Sequence, residues 1–460
     1  MQSNRETLAS RLGFILLSAG CAIGLGNVWR FPFIVGKYGG SIFVLLYLFF
    51  LALLAFPILL TEMTVGRGSR ANLVHAFHKL AHRNKRLWAV LGGVLFSGCL
   101  ILMMYYTNVT GWLLLYTKGY LFQDFHGCTT PESFGQMFQS IVSDPVQAVT
   151  AMVISCLVGG VVCAIGVKKG VESVVKVLML ALLVLMLVLA GYALTLPNAA
   201  EGLRFYLLPN WEHFLHNPLE TIFAAMGQAF FTLSIGIGSM EIFGSYLDWK
   251  VSMTRECLCI IALDTLVALA AGLIIFPVCA SQGIDVSAGP SLVFISLPNI
   301  FSLLPGGGFW GTLFFAFLAT AALTTVIAVF ENLVAFPMDA HWLGRKGAAL
   351  AVTLIVILLS LPCVLGFGPW SHIQPMGPNS TILDLEDFIV SQNLLPLGGI
   401  SFILFSASNA GWGEKNFLAE LEEGQDWRFS RGMVHYWRYV LPTLILVIML
   451  MGYCQKFLVV

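Results

Sequence analysis

The chain has 460 residues, of which 58% are hydrophobic and only 10% are charged. A soluble globular protein is about 45–50% apolar and about 25% charged, so this composition excludes an ordinary soluble domain and indicates a membrane protein. The 24 basic and 24 acidic side chains give a formal net charge of zero. This balance argues against a nucleic-acid partner, which would require a basic surface.

Eleven apolar runs are each long enough to cross a bilayer as a helix, because a spanning helix needs about 20 apolar residues. Runs of this length exclude the strands of a membrane barrel, which have about 10 residues. We therefore expect an all-α polytopic membrane protein with about 11 transmembrane helices embedded in the lipid bilayer. The predicted spans 1 to 11 lie near residues 12–36, 41–65, 88–118, 147–166, 171–194, 219–246, 254–280, 309–336, 348–367, 390–410 and 437–459.

Basic residues are concentrated in alternate loops. The segment 281–308 contains no Lys or Arg, and the segment 369–395 contains only acidic charges. The positive-inside rule therefore places the N-terminus in the cytoplasm, and an odd number of spans places the C-terminus outside. The basic loops follow spans 2, 4, 8 and 10 and contain Arg67, Arg70, Lys79, Arg83, Lys85, Arg86, Lys168, Lys169, Arg345, Lys346, Lys415, Arg428 and Arg431.

Two spans carry a Gly-x-Gly sequence near their middle, at 24–26 in span 1 and at 236–238 in span 6. Glycine costs about 1 kcal/mol in a helix interior, although small residues also serve close helix packing in membranes. The two interruptions lie five spans apart and so occupy matching places in two halves of opposite topology. Such pairs are typical of secondary transporters, because unwound backbone offers carbonyls to a cation and N–H groups to an anion.

Several further motifs accompany these interruptions, and with them the chain resembles the neurotransmitter:sodium symporter family, in particular its bacterial amino-acid transporters. The resemblance implies one transporter domain over 1–460 with discontinuous helices 1 and 6. Its inverted-repeat halves would lie at about 10–196 and 217–411, with an extra helix at about 437–459. It also implies sodium-coupled symport by alternating access in the bacterial plasma (inner) membrane, and no enzymatic activity. The matching segments are 11–14, 24–33, 228–234, 289–294, 308–311 and 383–388.

Asp264 lies near the middle of span 7, where an ionisable group marks function by default. It is either a cation ligand or a carboxyl that is protonated or capped by a neighbouring donor. Sodium is a hard cation and prefers oxygen ligands, and no organic cofactor is expected. The resemblance assigns a first sodium site to Ala22, Asn27, Thr232 and Asp264 together with the substrate carboxylate.

The resemblance also implies a second sodium site that includes two adjacent hydroxyl residues of span 8. From the residues alone, these threonines are equally compatible with bonds back to their own helix. This second site would consist of Gly20, Ile23, Ala321, Thr324 and Thr325.

Many relatives carry a neutral Asn at the position of Asp264, and the chloride-dependent ones bind the anion beside this site. A fixed carboxylate can replace that negative charge, so we predict chloride-independent transport. Tyr47, Gln228 and Thr232 still match chloride-site positions, which leaves the question open at the level of sequence.

By the same resemblance, the substrate carboxylate meets the N–H groups of Leu25 and Gly26 and the hydroxyl of Tyr106. Gly24 replaces the Asp that monoamine transporters use to hold an amine, which favours an α-amino acid. The side-chain pocket carries no charge, and a charged substrate would lose its hydration there without a partner. We therefore expect hydrophobic or aromatic L-amino acids. The ammonium would meet Ala22, Phe231, Thr232 and Ser234, and the pocket would be lined by Leu102, Tyr106, Phe231, Ile237, Thr325 and Val329.

The resemblance pairs Arg30 with Asp387 as an outer gate, with Asp384 as a nearby rival, and pairs Arg5 with Asp339 as an inner gate. Leu8 stands where the family usually has Trp. Three further carboxyls near the cytoplasmic ends of their helices are interpreted as partners of inner-side charges, namely Glu62, Glu241 and Glu331.

Other functions remain open alternatives. A proton-coupled amino-acid carrier would use Asp264 to carry the proton, and a channel or sensor would bind an amino acid without moving it. Metal binding by His75, His78 and His82 is disfavoured because no carboxylate completes the set, and a prenyltransferase site at Asp384 and Asp387 lacks a second Asp-rich motif. The sequence leaves the oligomeric state undetermined.

Overall fold

Helices form most of the computed structural model, which describes residues 8–125, 127–283, 292–424 and 428–457. Within these ranges, nine helices are long and apolar enough to cross a membrane. They confirm the all-α polytopic class and correspond to predicted spans 2–5 and 7–11. Their bounds are Ser41–Ser69, Lys85–Leu121, Pro145–Ile165, Val167–Ala193, Met253–Ser281, Gly307–Asp339, Arg345–Leu365, Ile382–Ala407 and Arg431–Cys454.

Span 1 is a broken helix. Its two parts, Arg11–Ala22 and Gly26–Lys37, meet at an angle of 57°. The first part begins at Ser10, whose side chain accepts from the Gly13 N–H, and it ends where Ile23 turns to an extended conformation with ψ 99°. The interruption therefore falls at the predicted Gly-x-Gly sequence.

Span 6 is interrupted over a longer stretch, which is why neither of its parts has the length of a spanning helix. Pro218–Phe231 forms the part before the interruption, and Glu241–Gly244 forms a single turn after it. Between them, Ser234, Gly236 and Gly238 have positive φ values of 51°, 105° and 83°. Glycine adopts this left-handed region without steric cost, so the Gly-x-Gly pair permits the unwound path.

Capping residues fix where several spans begin. Asp144 accepts from two backbone N–H groups at the start of span 4, and Ser252 accepts from Arg255 at the start of span 7. The predicted start of span 10 at residue 390 is wrong, since Thr381 forms a capping box with Asp384 and starts the helix at Ile382. Span 11 likewise starts at Arg431 rather than 437, because Ser430 caps it.

The loops between spans contain further short helices. One of them, Leu292–Leu303, lies in the segment between spans 7 and 8. The sequence analysis predicts no helices in these segments, because it considers only apolar runs that are long enough to span a membrane. The others are Leu73–Leu80, Pro131–Ser143, Ala199–Leu207, Trp211–His216 and Glu414–Glu422.

Span 8 lies at the centre of the bundle and packs against spans 1, 3, 4 and 5. The most apolar stretch of span 8 is 78% buried, whereas that of span 11 is 17% buried and faces away from the bundle. The broken span 1 therefore lies against a buried helix, which keeps its unwound segment inside the protein.

The unwound segment of span 6 packs directly on span 10 through Gly398, where an added β-carbon would collide with the Gly236 carbonyl oxygen. We expect Gly398→Ala to lower the stability by about 1–3 kcal/mol, the usual cost of overpacking. Gly93→Ala is the matched control, because nothing lies within 4 Å of its added carbon. Thermal unfolding in detergent measures both variants, and equal melting temperatures for the two would contradict this contact.

Candidate functional site

The unwound backbone of span 6 is held by the carboxylate of Glu62, a fully buried residue of span 2. Its Oε2 accepts from the Gly236 N–H at 2.7 Å, and its Oε1 accepts from the N–H groups of Met240 and Glu241 at 3.1 and 3.4 Å. The interpretation of Glu62 as a partner of inner-side charges is therefore wrong. Its partners are backbone N–H groups, which lost their helical acceptors where the helix unwinds.

Other side chains donate to the carbonyls of the same segment. Asn332 Nδ2 donates to the Gly238 carbonyl at 3.0 Å, and the Cys99 thiol donates to the Ile237 carbonyl at 3.4 Å. The Ser239 hydroxyl donates to the Ser234 carbonyl. Sequence analysis missed Asn332 and Cys99, although a polar Asn in the middle of an apolar span was a signal that could have identified the first.

Three of the four residues assigned to the first sodium site are in direct contact. Asn27 Nδ2 lies 2.9 Å from Asp264 Oδ1, 3.3 Å from the Asp264 carbonyl oxygen and 3.1 Å from Thr232 Oγ1. Thr232 Oγ1 in turn lies 2.9 Å from Asp264 Oδ2. Asp264 and Asn27 are completely buried. Ala22 ends the first half of span 1.

The residues that match chloride-site positions border this cluster. Tyr47 donates its hydroxyl to Thr232 Oγ1 at 3.3 Å. Gln228 Nε2 donates to the Gly26 carbonyl at 3.1 Å, while its Oε1 is buried without a hydrogen-bond partner among the described residues. The polar side chains of spans 2 and 6 therefore continue the network that joins Asn27 to Asp264.

The residues assigned to the second sodium site also come together. Thr325 Oγ1 lies 3.3 Å from the carbonyl oxygens of both Gly20 and Ile23, and 3.4 Å from that of Ala321. Thr324 Oγ1 lies 2.8 Å from the same Ala321 oxygen. The alternative of back-bonding thus describes Thr324, whereas Thr325 also reaches across to the broken span. One hydroxyl carries one hydrogen, so Thr325 can satisfy one of its three carbonyls at a time.

The predicted substrate pocket lies beside the break in span 1. The Leu25 N–H donates to the Tyr106 hydroxyl at 3.3 Å. A β-carbon added at Gly24 would lie 2.5 Å from the Tyr106 oxygen and 2.9 Å from Thr325 Oγ1, so Gly24, Tyr106 and Thr325 meet at one point. Of the remaining pocket residues, Ile237 and Val329 are fully buried, and Leu102 and Phe231 are partly exposed.

The predicted outer gate pair is not in direct contact. Arg30 places its guanidinium 4.4 Å from the centre of the Phe231 ring. Asp387 Oδ1 accepts from the hydroxyls of Tyr105 at 3.2 Å and Ser391 at 2.6 Å. Both charges interact electrostatically with each other and with Tyr105. The direct ion pair expected from the sequence is thus replaced by a cation–π contact and two hydroxyl donors.

Arg5 of the predicted inner gate lies outside the described residues. Its assigned partner, Asp339, accepts from the backbone N–H of Asn72 at 2.7 Å and from its side chain at 2.9 Å. Nearby, Glu172 accepts from the Ala9 N–H at 2.6 Å and from the Ser10 hydroxyl at 2.9 Å. These bonds attach the first described residues to the start of span 5.

Arg11 and Arg345 form ion pairs. Arg11 Nε lies 2.7 Å from Glu256 Oε1, and Arg345 contacts both oxygens of Glu331 at 2.9 and 3.1 Å. Glu331 thus pairs with a basic residue of a loop that the sequence predicts to be cytoplasmic. His75 contacts Asn72, and no group of three His, Cys, Asp or Glu side chains suited to a metal occurs in the described parts of the chain.

We expect Glu62→Gln to lower stability by about 1–3 kcal/mol, because the amide would present an N–H₂ group to backbone N–H groups and leave buried donors unpaired. Thermal unfolding of the purified protein measures this loss. Glu423→Gln, at an exposed carboxyl, is the matched control and should leave the melting temperature unchanged. A Glu62→Gln variant as stable as the control would show that the carboxylate is not needed to hold the break.

The chain is similar over nearly its whole length to known proteins. The family model described as SNF, the sodium:neurotransmitter symporter family, matches residues 5–132 and 132–457. A protein named "Uncharacterized sodium-dependent transporter YhdH" from Bacillus subtilis (strain 168) is 35% identical over 451 residues, which cover 96% of each chain. The sodium- and chloride-dependent taurine transporter of Bos taurus is 27% identical over 96% of this chain and 77% of its own.

The fold is also similar to a solved structure, the crystal structure of MhsT in complex with L-phenylalanine. The two share 36% sequence identity with a TM-score of 0.84, and the comparison covers 97% of this chain and 99% of the other. The family and structural comparisons are consistent with a multi-pass membrane transporter and not with an enzyme. The chain belongs to the sodium:neurotransmitter symporter family, whose members are sodium-dependent transporters of small molecules.

Proposed function

We propose that this protein imports hydrophobic or aromatic L-amino acids together with sodium, by alternating access around the two broken spans. The observation that carries the proposal is the crowding of oxygen atoms against few hydrogens at the breaks. Asn27 Nδ2 carries two hydrogens but lies within reach of three oxygens, and Thr325 carries one hydrogen for three carbonyls. A sodium ion would relieve each surplus of acceptors.

The first proposed sodium site is formed by Ala22, Asn27, Thr232 and Asp264. The Asp264 carboxylate is buried with no cationic side chain among its described hydrogen-bond partners, which are Asn27 and Thr232. A buried carboxylate is costly unless a positive charge compensates it. A sodium ion would supply that charge, and the substrate carboxylate would complete its coordination.

The second proposed site is formed by Gly20, Ile23, Ala321, Thr324 and Thr325. It joins the inner half of span 1 to span 8 through three carbonyls and two hydroxyls. Because these oxygen ligands belong to two different helices, a cation bound between them would hold span 1 against span 8. Sodium binding would thereby influence the position of the half-helix that must move in alternating access.

For the substrate, the N–H groups of Leu25 and Gly26 and the Tyr106 hydroxyl are suited to an α-carboxylate, as expected for the start of a half-helix. The carbonyls of Ala22, Phe231 and Thr232 and the hydroxyl of Ser234 would receive the ammonium. The side-chain pocket of Leu102, Ile237 and Val329 is apolar. The L-phenylalanine in the similar MhsT structure supports an apolar or aromatic side chain.

We further propose the arrangement that the family resemblance implies. The chain would form a single domain over 1–460 with halves at about 10–196 and 217–411 and an extra helix at about 437–459. It would lie in the bacterial inner membrane with a cytoplasmic N-terminus and an external C-terminus. Arg30 with Asp387 would close the outer side, and Arg5 with Asp339 the inner side.

Chloride independence is part of the proposal and rests on Asp264. The Tyr47 and Gln228 side chains lie next to this carboxylate's network, where an anion would be repelled by a fixed negative charge. The proton-coupled alternative uses the same carboxylate as a proton carrier. The following measurement separates sodium, proton and chloride coupling.

Purified protein in liposomes is expected to accumulate labelled hydrophobic amino acids when an inward sodium gradient is imposed. A proton gradient alone should drive no accumulation, and gluconate in place of chloride should leave the rate unchanged. Accumulation driven by protons without sodium would favour the proton-coupled carrier. Binding of the amino acid without any accumulation would favour a sensor.

Asp264→Asn is expected to weaken the sodium dependence of uptake or to make uptake depend on chloride, since it removes the fixed negative charge. Asp124→Asn, at an exposed outer carboxyl, is the matched control. Unchanged sodium affinity together with no chloride effect in Asp264→Asn would remove the proposed role of this residue.

Gly24→Ala is expected to reduce amino-acid affinity by about 5-fold or more, because the added carbon would displace Tyr106 and Thr325 at a cost of about 1–3 kcal/mol. Gly227→Ala in the outer half of span 6 is the control, as nothing lies within 4 Å of its added carbon. Sodium-dependent binding of labelled substrate measures both. Equal affinities would place the substrate away from Gly24.

A further inference from the structure

The first helical turns of span 10, Ile382–Asp387, carry three carboxyl groups with different environments. Asp384 caps the helix through Thr381, and Asp387 accepts from Tyr105 and Ser391. Glu386, by contrast, is 4% exposed and lies on the side that packs against spans 3 and 9. Neither the sodium sites nor the predicted gate uses this carboxyl.

Glu386 lies in a small polar cluster with Asn108 of span 3 and Cys363 of span 9. Asn108 Nδ2 donates to Cys363 Sγ at 3.7 Å, and the Cys363 thiol interacts with the Glu386 carboxyl. Thr107 and Ser360, which contact each other at 3.3 Å, join the same two spans nearby. Asn108 and Cys363 are 1% and 0% exposed, so the cluster is closed to water.

Two oxygen atoms of this cluster are buried acceptors without a hydrogen-bond partner among the described residues, Glu386 Oε2 and Asn108 Oδ1. An unsatisfied buried polar atom costs about 1–3 kcal/mol, and an uncompensated buried carboxylate costs more. The cluster therefore lacks hydrogens. One proton on the Glu386 carboxyl would remove its charge and would convert one unpartnered acceptor into a hydroxyl group.

The charged groups that face this cluster do not compensate a negative Glu386. On its own helix, Asp384 and Asp387 are acidic, and from span 3 the titratable Tyr105 has its hydroxyl bound to Asp387. Span 9 contributes the Cys363 thiol. Arg30, the cation of the predicted outer gate, lies over Phe231 and interacts with Asp387.

We infer that Glu386 is a proton-binding site, held as a neutral carboxylic acid when the outer end of span 10 is packed against spans 3 and 9. This site is separate from Asp264 and does not depend on which ion drives transport. It precedes Asp387 on the same short helix, so its proton lies one residue away from the predicted outer gate.

The direction of the pH dependence follows from linkage. The packed arrangement of span 10 holds the proton, and an arrangement in which Glu386 meets water releases it more readily. Acid therefore favours the packed arrangement, and packing is progressively lost as the pH rises. The deprotonated carboxylate would also repel its neighbour Asp387, which acts in the same direction.

Infrared spectroscopy of the purified full-length protein tests the proposal, because protonated carboxylic acids have their own carbonyl stretching band. Wild type should show a component of this band that disappears when the pH is raised. Glu386→Gln, which has the shape of the neutral acid, should lack that component, and Asp264→Asn should retain it. Glu132→Gln, at an exposed outer carboxyl, is the matched control and should also retain it.

The second measurement is the pH profile of amino-acid uptake in liposomes. Glu386→Gln should lose the change of rate that wild type and Glu132→Gln show over the pH range in which the infrared component disappears. Identical infrared titrations for wild type and Glu386→Gln would overturn the proposal, as would a wild-type spectrum without any protonated band. Because the infrared readout requires no transport, failure of the proposed uptake activity would leave this result interpretable.

Discussion

The structure depends on how the backbone polar groups of two unwound segments are satisfied inside a membrane. Hydrocarbon offers them no hydrogen bonds, so non-helical backbone at that depth must lie within protein or line a cavity. Glu62 meets this requirement in span 6 by accepting from three N–H groups with a single carboxylate. The break in span 6 can therefore persist without a bound ligand.

The two breaks are satisfied in different ways. In span 6, side chains from other spans form hydrogen bonds with the unwound backbone. Glu62 accepts from N–H groups, and Asn332 and Cys99 donate to carbonyl oxygens. In span 1, the carbonyls of Gly20 and Ile23 share the single hydrogen of Thr325. Span 6 thus provides a stable support, whereas span 1 has acceptors that a cation can satisfy. This difference explains why the proposed ion sites both include atoms of span 1.

Much of this arrangement could be predicted from the sequence, because it depends on local chemistry. Apolar length predicts the spans, and the Gly-x-Gly pairs predict the breaks; in span 6, Gly236 and Gly238 adopt the positive φ that glycine permits. The starts of spans 10 and 11 were predicted too late because capping by Thr381 and Ser430 extends these helices beyond their apolar cores. A prediction from apolar runs does not register the polar first turns of these two helices.

Other features could not be predicted, because they depend on which side chains meet across helices distant in sequence. A buried Glu in span 2 predicts a partner but not its kind, and the structure provides backbone N–H groups rather than a charge. The role of Glu62 was therefore misread, and the contact of Asn332 with the Gly238 carbonyl was missed. Both are contacts between residues distant in sequence. The sequence predicts where the helix breaks, but it does not predict which side chains contact the unwound backbone.

The predicted outer gate, Arg30 and Asp387, shows how one set of side-chain contacts can be exchanged for another. Arg30 has an aromatic partner and Asp387 has hydroxyl partners, so neither charge is left without a favourable contact. Forming the predicted gate would replace a cation–π contact of about 0.5–2 kcal/mol by charged hydrogen bonds of about 1.5–3 kcal/mol. The two states then differ little in free energy. A ligand can shift such an equilibrium only through its differential affinity for the two states. A substrate that contacts Phe231 in one state alone would be sufficient to decide whether Arg30 stays over the ring or turns to Asp387.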